Sequence, residues 1–178
     1  AWHWGAYLGE EGIQNGIRVK TSSYTHHLPN VTMCKAKAAS NYPVSIMANR
    51  EVTRNGYDEA ILMDSQGYVC QGSGENLFLV KNGELHTPDL AGGALDGITR
   101  RSIIQFANDL GIKVTERRIT RDEFYLADEI FMTGTAAEVT PIREYDDRKI
   151  GNGGRGEITE KLQTLYFDVV HGRNEQYL

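Results

Sequence analysis

A lysine set among residues with almost no side-chain bulk is where the chemistry of this chain begins. Lys37 stands in the run Ala36-Lys37-Ala38-Ala39-Ser40-Asn41-Tyr42. The alanines leave room for something flat to reach its amine, and a tyrosine five residues on could hydrogen-bond the same object. A partly desolvated amine with a lowered pKa is what a Schiff-base lysine needs to attack an aldehyde. Exposed lysines are common, so the run gains its meaning from what accompanies it.

Two segments could hold an anion. Gly97-Ile98-Thr99 sits where a loop enters a helix, so unpaired backbone N–H groups gather there and Thr99 adds a hydroxyl. Thr133-Gly134-Thr135-Ala136-Ala137 lies between two strands, with small residues that let backbone donors approach a ligand. Other patterns carry less. Gly72-Ser73-Gly74-Glu75-Asn76 puts Leu77 where a third glycine would complete a dinucleotide fingerprint, and it precedes a strand rather than a helix. No P-loop spacing exists. Gly151-Asn152-Gly153-Gly154-Arg155-Gly156 reads as a mobile connection. The adjacent pair His26-His27 could serve a site at a domain junction but reads first as an exposed linker pair, and Cys70 reads as a small buried residue in a strand.

These residues need a scaffold. The 178-residue chain, 40% hydrophobic and 24% charged, has the balance of an ordinary globular protein. A net charge of −5 argues against nucleic acid or an anionic membrane as partner. No apolar run approaches the ~20 residues of a membrane span, and no secretory signal is visible. Two cysteines make no disulfide framework, which suggests a reducing, cytoplasmic setting; with five scattered histidines they offer no zinc or other metal spacing.

Lys37–Arg54 reads as a helix that Pro43 interrupts early. Glu59–Asp64 and Tyr68–Gln71 read as a hairpin around Ser65-Gln66-Gly67. Asn76–Val80 and Glu84–His86 flank Asn82-Gly83, the strongest hairpin signal in the chain. Ile98–Leu110 is a helix with Ile103, Phe106, Ala107 and Leu110 on one face. Lys113–Ile119 is a strand, and Thr120 opens a short helix with a capping box to Glu123. Strands over Glu129–Thr133 and Glu138–Arg143 and a last helix carrying Ile158, Leu162, Leu165, Tyr166, Val169 and Val170 complete the order. Hairpins mixed with helices, without regular βαβ alternation, imply an α+β fold with a mixed sheet closing toward a barrel.

Five blocks in this order resemble one family: Ala-Lys-Ala-Ala-Ser-Asn-Tyr (36–42), Gly-Tyr-Asp-Glu-Ala (56–60), Gly-Ser-Gly-Glu-Asn-Leu-Phe (72–78), Leu-Asp-Gly-Ile-Thr-Arg (95–100) and Phe-Met-Thr-Gly-Thr-Ala-Ala-Glu-Val-Thr-Pro (131–141). They are similar to the class IV pyridoxal-phosphate aminotransferases. Trp4-Gly5-Ala6-Tyr7-Leu8-Gly9 points to the bacterial branched-chain amino acid branch. The resemblance implies the large, D-amino acid aminotransferase-like domain of the fold-type IV enzymes over 32–178, an interdomain linker over 19–31 and a remnant of a smaller N-terminal domain over 1–18. It implies pyridoxal 5'-phosphate as cofactor and Lys37 as the Schiff-base lysine. Tyr42 would bond the phenolic oxygen, Leu95 would pack on the ring, and Gly97, Ile98, Thr99 and Thr135 would hold the phosphate. Thr135 and Ala136 would hold the substrate carboxylate, and Trp4 would line its apolar pocket. The implied reaction is transamination of leucine, isoleucine and valine with 2-oxoglutarate, as in branched-chain amino acid biosynthesis, by a homodimer or larger assembly. D-amino acid transaminases, aminodeoxychorismate lyases and a non-catalytic homologue on the same fold share parts of the pattern.

Two departures qualify the resemblance. The family places a glutamate against the pyridine nitrogen; here that position is Gln71, which can hydrogen-bond but supplies no charge to keep the ring protonated. The smaller domain is nearly absent, so these residues alone are expected to be inactive or weak, with an exposed apolar face. Gln71→Glu, made in a chain that includes the smaller domain, is expected to raise steady-state turnover; an unchanged rate would dissociate Gln71 from the electron sink.

Overall fold

The computed structural model describes Gly5 and residues 7–177. Helix α1 (Glu10–Asn15) leads into strand β1 (Ile17–Thr25). Helix α2 (Pro43–Thr53) precedes four strands, β2 (Glu59–Met63), β3 (Val69–Gly72), β4 (Asn76–Lys81) and β5 (Glu84–Pro88). Then come α3 (Ile98–Asp109), β6 (Val114–Arg117) and α4 (Arg121–Tyr125). Strands β7 (Glu129–Gly134), β8 (Glu138–Tyr145) and β9 (Arg148–Lys149) and the long helix α5 (Glu157–Val170) finish the order.

Among the described residues, all nine strands join one mixed sheet in the order β3-β2-β1-β8-β7-β4-β5-β6, with β9 beside β8. Strand β1 runs parallel to both β2 and β8, and β5 runs parallel to β6. The sheet curls until its two ends approach, because Val69 N–H of β3 donates to Ile119 O, just beyond β6, at 2.9 Å. This is the α+β sheet closing toward a barrel that the hairpin pattern predicts. Both sheet faces are covered, so successive side chains of a strand enter different cores. Leu77 and Leu79 of β4 pack inside the curl with Ile61, Ile130, Met132 and Ile142. Phe78 and Val80 face the other way, against Ile103 and Phe106 of α3 and Leu162 and Tyr166 of α5. Phe78 stacks on Phe131 across the β4–β7 pair, ring centroids 5.0 Å apart. A third, smaller core seats α2 on β2 through Ala48, Val52, Tyr57, Ala60 and Leu62.

Local signals hold in most places. Asn82 (φ 51°) and Gly83 (φ 78°) both take positive φ, as the two-residue β4–β5 turn requires. The Thr120–Glu123 capping box is formed. Three expectations are corrected. Residues 19–25 of the expected linker are strand: Ile17 and Val19 point inward, and the polar remainder is held by partners remote in sequence, Thr21 by Asp146 and Ser22 by Glu51. The helix expected from Lys37 begins only at Pro43, because proline is suited to the first helical position and restricts the residue before it. Leu110 lies past the end of α3 and is exposed, not on its buried face.

Helix α5 has no cap of its own at Gly156. The carboxylate of Glu129, the first residue of β7, fills that place: it accepts Ile158 N–H at 3.1 Å, Thr159 N–H at 2.7 Å and the Thr159 hydroxyl at 2.6 Å. A negative group there satisfies orphan donors and meets the positive end of the helix. Glu129→Ala is expected to lower unfolding free energy by about 1–2 kcal/mol, with Glu129→Gln losing less, as read by urea denaturation.

Candidate active site

Lys37 lies in the irregular segment between His27 and α2, and other residues of that segment hold it in shape. Lys35 spends its amine on two carbonyls, Leu90 O at 2.6 Å and Ala94 O at 3.0 Å. Asn41 donates its amide to Met33 O at 3.1 Å and Ala36 O at 3.0 Å, closing the turn on which Lys37 stands. The two neighbouring lysines thus have separate work. Lys35 ties this loop to the 90–94 loop, and Lys37 lines two adjoining cavities, a cleft of about 850 Å³ and a recess of about 40 Å³. Lys37 is exposed, so the desolvation expected of it is not supplied by the described residues.

The structure brings most of the predicted residues to these cavities. Tyr42, half-buried at the start of α2, lines both of them. Gln71 and Leu95 line the recess, and Leu95 N–H donates to Gln71 Oε1 at 2.9 Å. Since a backbone N–H can only donate, the Gln71 amide is oriented with its oxygen toward Leu95. Thr135 and Ala136, exposed at the tip of the β7–β8 hairpin, line the far wall of the cleft. Gly97, Ile98 and Thr99 open α3, whose first turn has no side-chain cap and so keeps unpaired N–H donors. Asn76 of β4 joins that turn to the recess: its amide donates to Leu95 O at 2.7 Å, and a Cβ on Gly97 would collide with its Oδ1. Trp4 lies outside the described residues.

Several site residues escaped the sequence reading. The His26–His27 pair is not an exposed linker: His26 is buried, its ring stands 4.0 Å from that of His27, and both line the recess. Burial, then the neighbouring His27, pushes His26 down to about 4, so it is neutral at physiological pH. Both ring nitrogens of His27 and the hydroxyl of Thr133 are buried without a partner among the described residues. Burial, then the charge of nearby Asp64, pushes the Cys70 thiol up to about 12, an inert buried side chain as expected. Glu75 lines both cavities, and burial followed by repulsion from Glu59 pushes it up to about 8. Tyr7, Asn49 and Ser73 line the cleft as well. One sequence signal could have found Glu75: a charged residue directly between a glycine turn and an apolar central strand.

An accessible amine, a phenol beside it, a neutral amide, an uncapped helix start held open by a glycine, and a small-residue hairpin tip form a coherent donor set. It fits a flat aromatic aldehyde carrying an anionic group, with room in the cleft for a second small molecule. Comparison with known proteins agrees. The family model described as "Amino-transferase class IV" matches residues 1–145. The chain is 54% identical over 177 residues to the branched-chain-amino-acid aminotransferase of Pseudomonas aeruginosa, covering 99% of this chain and 57% of that protein. It is 46% identical over 175 residues to the Escherichia coli branched-chain-amino-acid aminotransferase, covering 98% and 57%. The E. coli crystal structure superposes with a TM-score of 0.95 at 45% identity, again covering 98% of this chain and 57% of that one. The Thermobaculum terrenum branched-chain amino acid aminotransferase in its PLP form superposes with a TM-score of 0.91 at 39% identity, covering 97% and 56%. The chain therefore spans little more than half the length of these relatives.

Gly97→Ala is expected to push Asn76 off Leu95 O and to lower stability by about 1–3 kcal/mol. Urea unfolding would read the loss, and an unchanged midpoint would mean that Asn76 has room to move.

Proposed function

Since the chain belongs to the class IV aminotransferases, we propose that it forms the lysine-bearing part of a pyridoxal-phosphate-dependent branched-chain amino acid aminotransferase. The observation that carries this reading is the placement of Lys37. It lines both cavities with Tyr42, while Lys35 is withdrawn onto carbonyls. Pyridoxal phosphate, when bound, supplies a ring that withdraws electrons from the Cα of an attached amino acid.

The chain's own residues supply position and proton movement. Lys37 offers the amine that meets the cofactor's carbonyl. With the cofactor bound, the same Nζ would be the group placed to take up a substrate proton and hand it back. Tyr42 would hold the cofactor by a hydrogen bond and Leu95 by apolar contact. Gln71 would offer the cofactor a neutral amide and no charge. The first-turn N–H groups at Ile98 and Thr99 would hold the phosphate, with Gly97 leaving them accessible and Thr135 adding a donor. Backbone at Thr135 and Ala136 would receive the substrate carboxylate in the cleft that Lys37 also lines.

The names of the relatives favour leucine, isoleucine and valine as amino donors, and we infer 2-oxoglutarate as the acceptor. A cytoplasmic homodimer belongs to the same reading. Among the described residues, no helix is long and apolar enough to cross a membrane.

Mixing the protein with pyridoxal phosphate is expected to give a yellow species that borohydride fixes covalently on Lys37, with no label on Lys37→Ala. In the complete protein, transamination of L-leucine is expected to outpace that of D-alanine, with no pyruvate released from aminodeoxychorismate. Label elsewhere than Lys37, or a preference for D-alanine, would overturn the assignment.

A further inference from the structure

A buried carboxylate bonds to the wall of the large cleft from behind. Glu59, the first residue of β2, is fully buried. Its Oε1 accepts Ala60 N–H at 2.6 Å. Its Oε2 accepts the Asn49 amide at 3.0 Å and, at a longer 3.4 Å, the Tyr7 hydroxyl. With N–H donors on both oxygens, the ionised carboxylate is the form these partners fit. Burial raises the group, and the donors of Ala60, Asn49, Ser73 and Tyr7 pull it back.

Asn49 and Tyr7 both line the cleft. Asn49 shares one face of α2 with Ser45 and Ile46, four and three residues earlier, and all three meet the cleft. A side-chain amide or hydroxyl on such a wall ordinarily offers its hydrogen to whatever enters. Here the Asn49 amide and the Tyr7 hydroxyl are both engaged by Glu59 instead. Apart from Arg50, which lines the cleft and is exposed, this wall meets an entering side chain with the Tyr7 ring and the exposed Ile46. The charge of Glu59 stands behind them, and it repels an anion. The wall therefore suits an aliphatic group and opposes a carboxylate held at the same depth. A longer acceptor such as 2-oxoglutarate has to place its second carboxylate elsewhere.

We propose that Glu59 is a positioning residue that sets substrate specificity: it draws the donors of Asn49 and Tyr7 out of the cleft and so leaves an apolar wall for the substrate side chain. The inference rests on the proposed function, in which Thr135 and Ala136 receive the substrate carboxylate and Lys37 meets the amine, so that this wall is left to the side chain. Glu59 touches no reacting atom and acts through Asn49 and Tyr7.

The test compares kcat/KM of the complete protein for L-leucine and for L-aspartate, whose side-chain carboxylate has nearly the shape of the leucine isopropyl group. Wild type is expected to prefer leucine strongly. In Glu59→Gln the new amide keeps its oxygen on Ala60 N–H, which cannot turn, and so presents its NH₂ to Asn49. The Asn49 amide then flips and offers its own NH₂ to the cleft. The leucine-over-aspartate ratio is expected to fall by about tenfold or more, as one hydrogen bond to a charged group would give. The fall is expected chiefly as a rise in kcat/KM for aspartate. Glu59→Gln combined with Asn49→Ala is expected to regain most of the ratio. Asn49→Ala alone is expected to keep the wild-type ratio, because its amide faces Glu59 and not the cleft. An unmoved ratio in Glu59→Gln, including an equal loss of both activities, overturns the proposal. A large rise of the ratio in Asn49→Ala overturns it too, and that variant decides the matter if Glu59→Gln folds poorly. A complete protein that transaminates no leucine overturns the proposed function and this inference with it. One that does so, with a ratio that Glu59→Gln leaves unmoved, overturns the inference alone.

Discussion

The amine of Lys35, shared between Leu90 O and Ala94 O, is the contact on which the geometry around Lys37 depends. It joins the loop before α2 to the loop before α3, two segments that no strand pairing connects. From the second loop the chain of contacts continues. Leu95 donates its N–H to Gln71 at the end of β3 and gives its carbonyl to Asn76 at the start of β4. Amine, amide and helix start are thereby fixed by one string of main-chain and side-chain hydrogen bonds. A lysine is suited to this because its flexible stem reaches two acceptors from a loop that lacks regular structure. Without it, the alanine-rich run around Lys37 would have little to hold it.

The fold handles its interior charges by the same means. Asp146 is buried at the end of β8, and although burial alone would raise its carboxyl, Thr21, Tyr125 and Arg121 together hold it below the ordinary range. It joins β1 to α4 where the chain turns with Asp146 and Asp147 at positive φ. Glu129 does comparable service for α5. Glu59 and Glu75 are the contrast. Glu75 lines the cleft and Glu59 is buried at the start of β2, and each is held by backbone and neutral side-chain donors instead of a bonded cation. Buried ionisable groups that are not paired off are the ones free to respond to a ligand.

The sheet was readable where side-chain pattern and turn chemistry agreed. Asn82-Gly83 and Thr120–Glu123 act within a few residues, so their signals are local. The five ordered blocks pointed to Lys37, Tyr42, Leu95, Gly97 and Thr135, each of which sits at a loop or an element end, where small residues and hydroxyls stand out in the sequence. Strand β1 was missed for the opposite reason. Only Ile17 and Val19 carry its apolar face, while Thr21 and Ser22 are polar residues whose partners lie 125 and 29 positions away. Glu59 and His26 were hidden likewise: nothing in their neighbours reveals that the fold will seal them from water. Tertiary contacts outweigh local composition wherever a polar residue is buried with a distant partner.

The bond from Val69 N–H to Ile119 O, which draws the two ends of the curled sheet together, also bears on how the protein behaves among other copies of itself. An open nine-stranded sheet would show a row of unsatisfied amides and carbonyls along each margin, a template on which a neighbouring chain could add a strand. Here the two margins are joined at one bond, from β3 to the residue just beyond β6. At that point a neighbouring strand finds one donor and one acceptor already engaged.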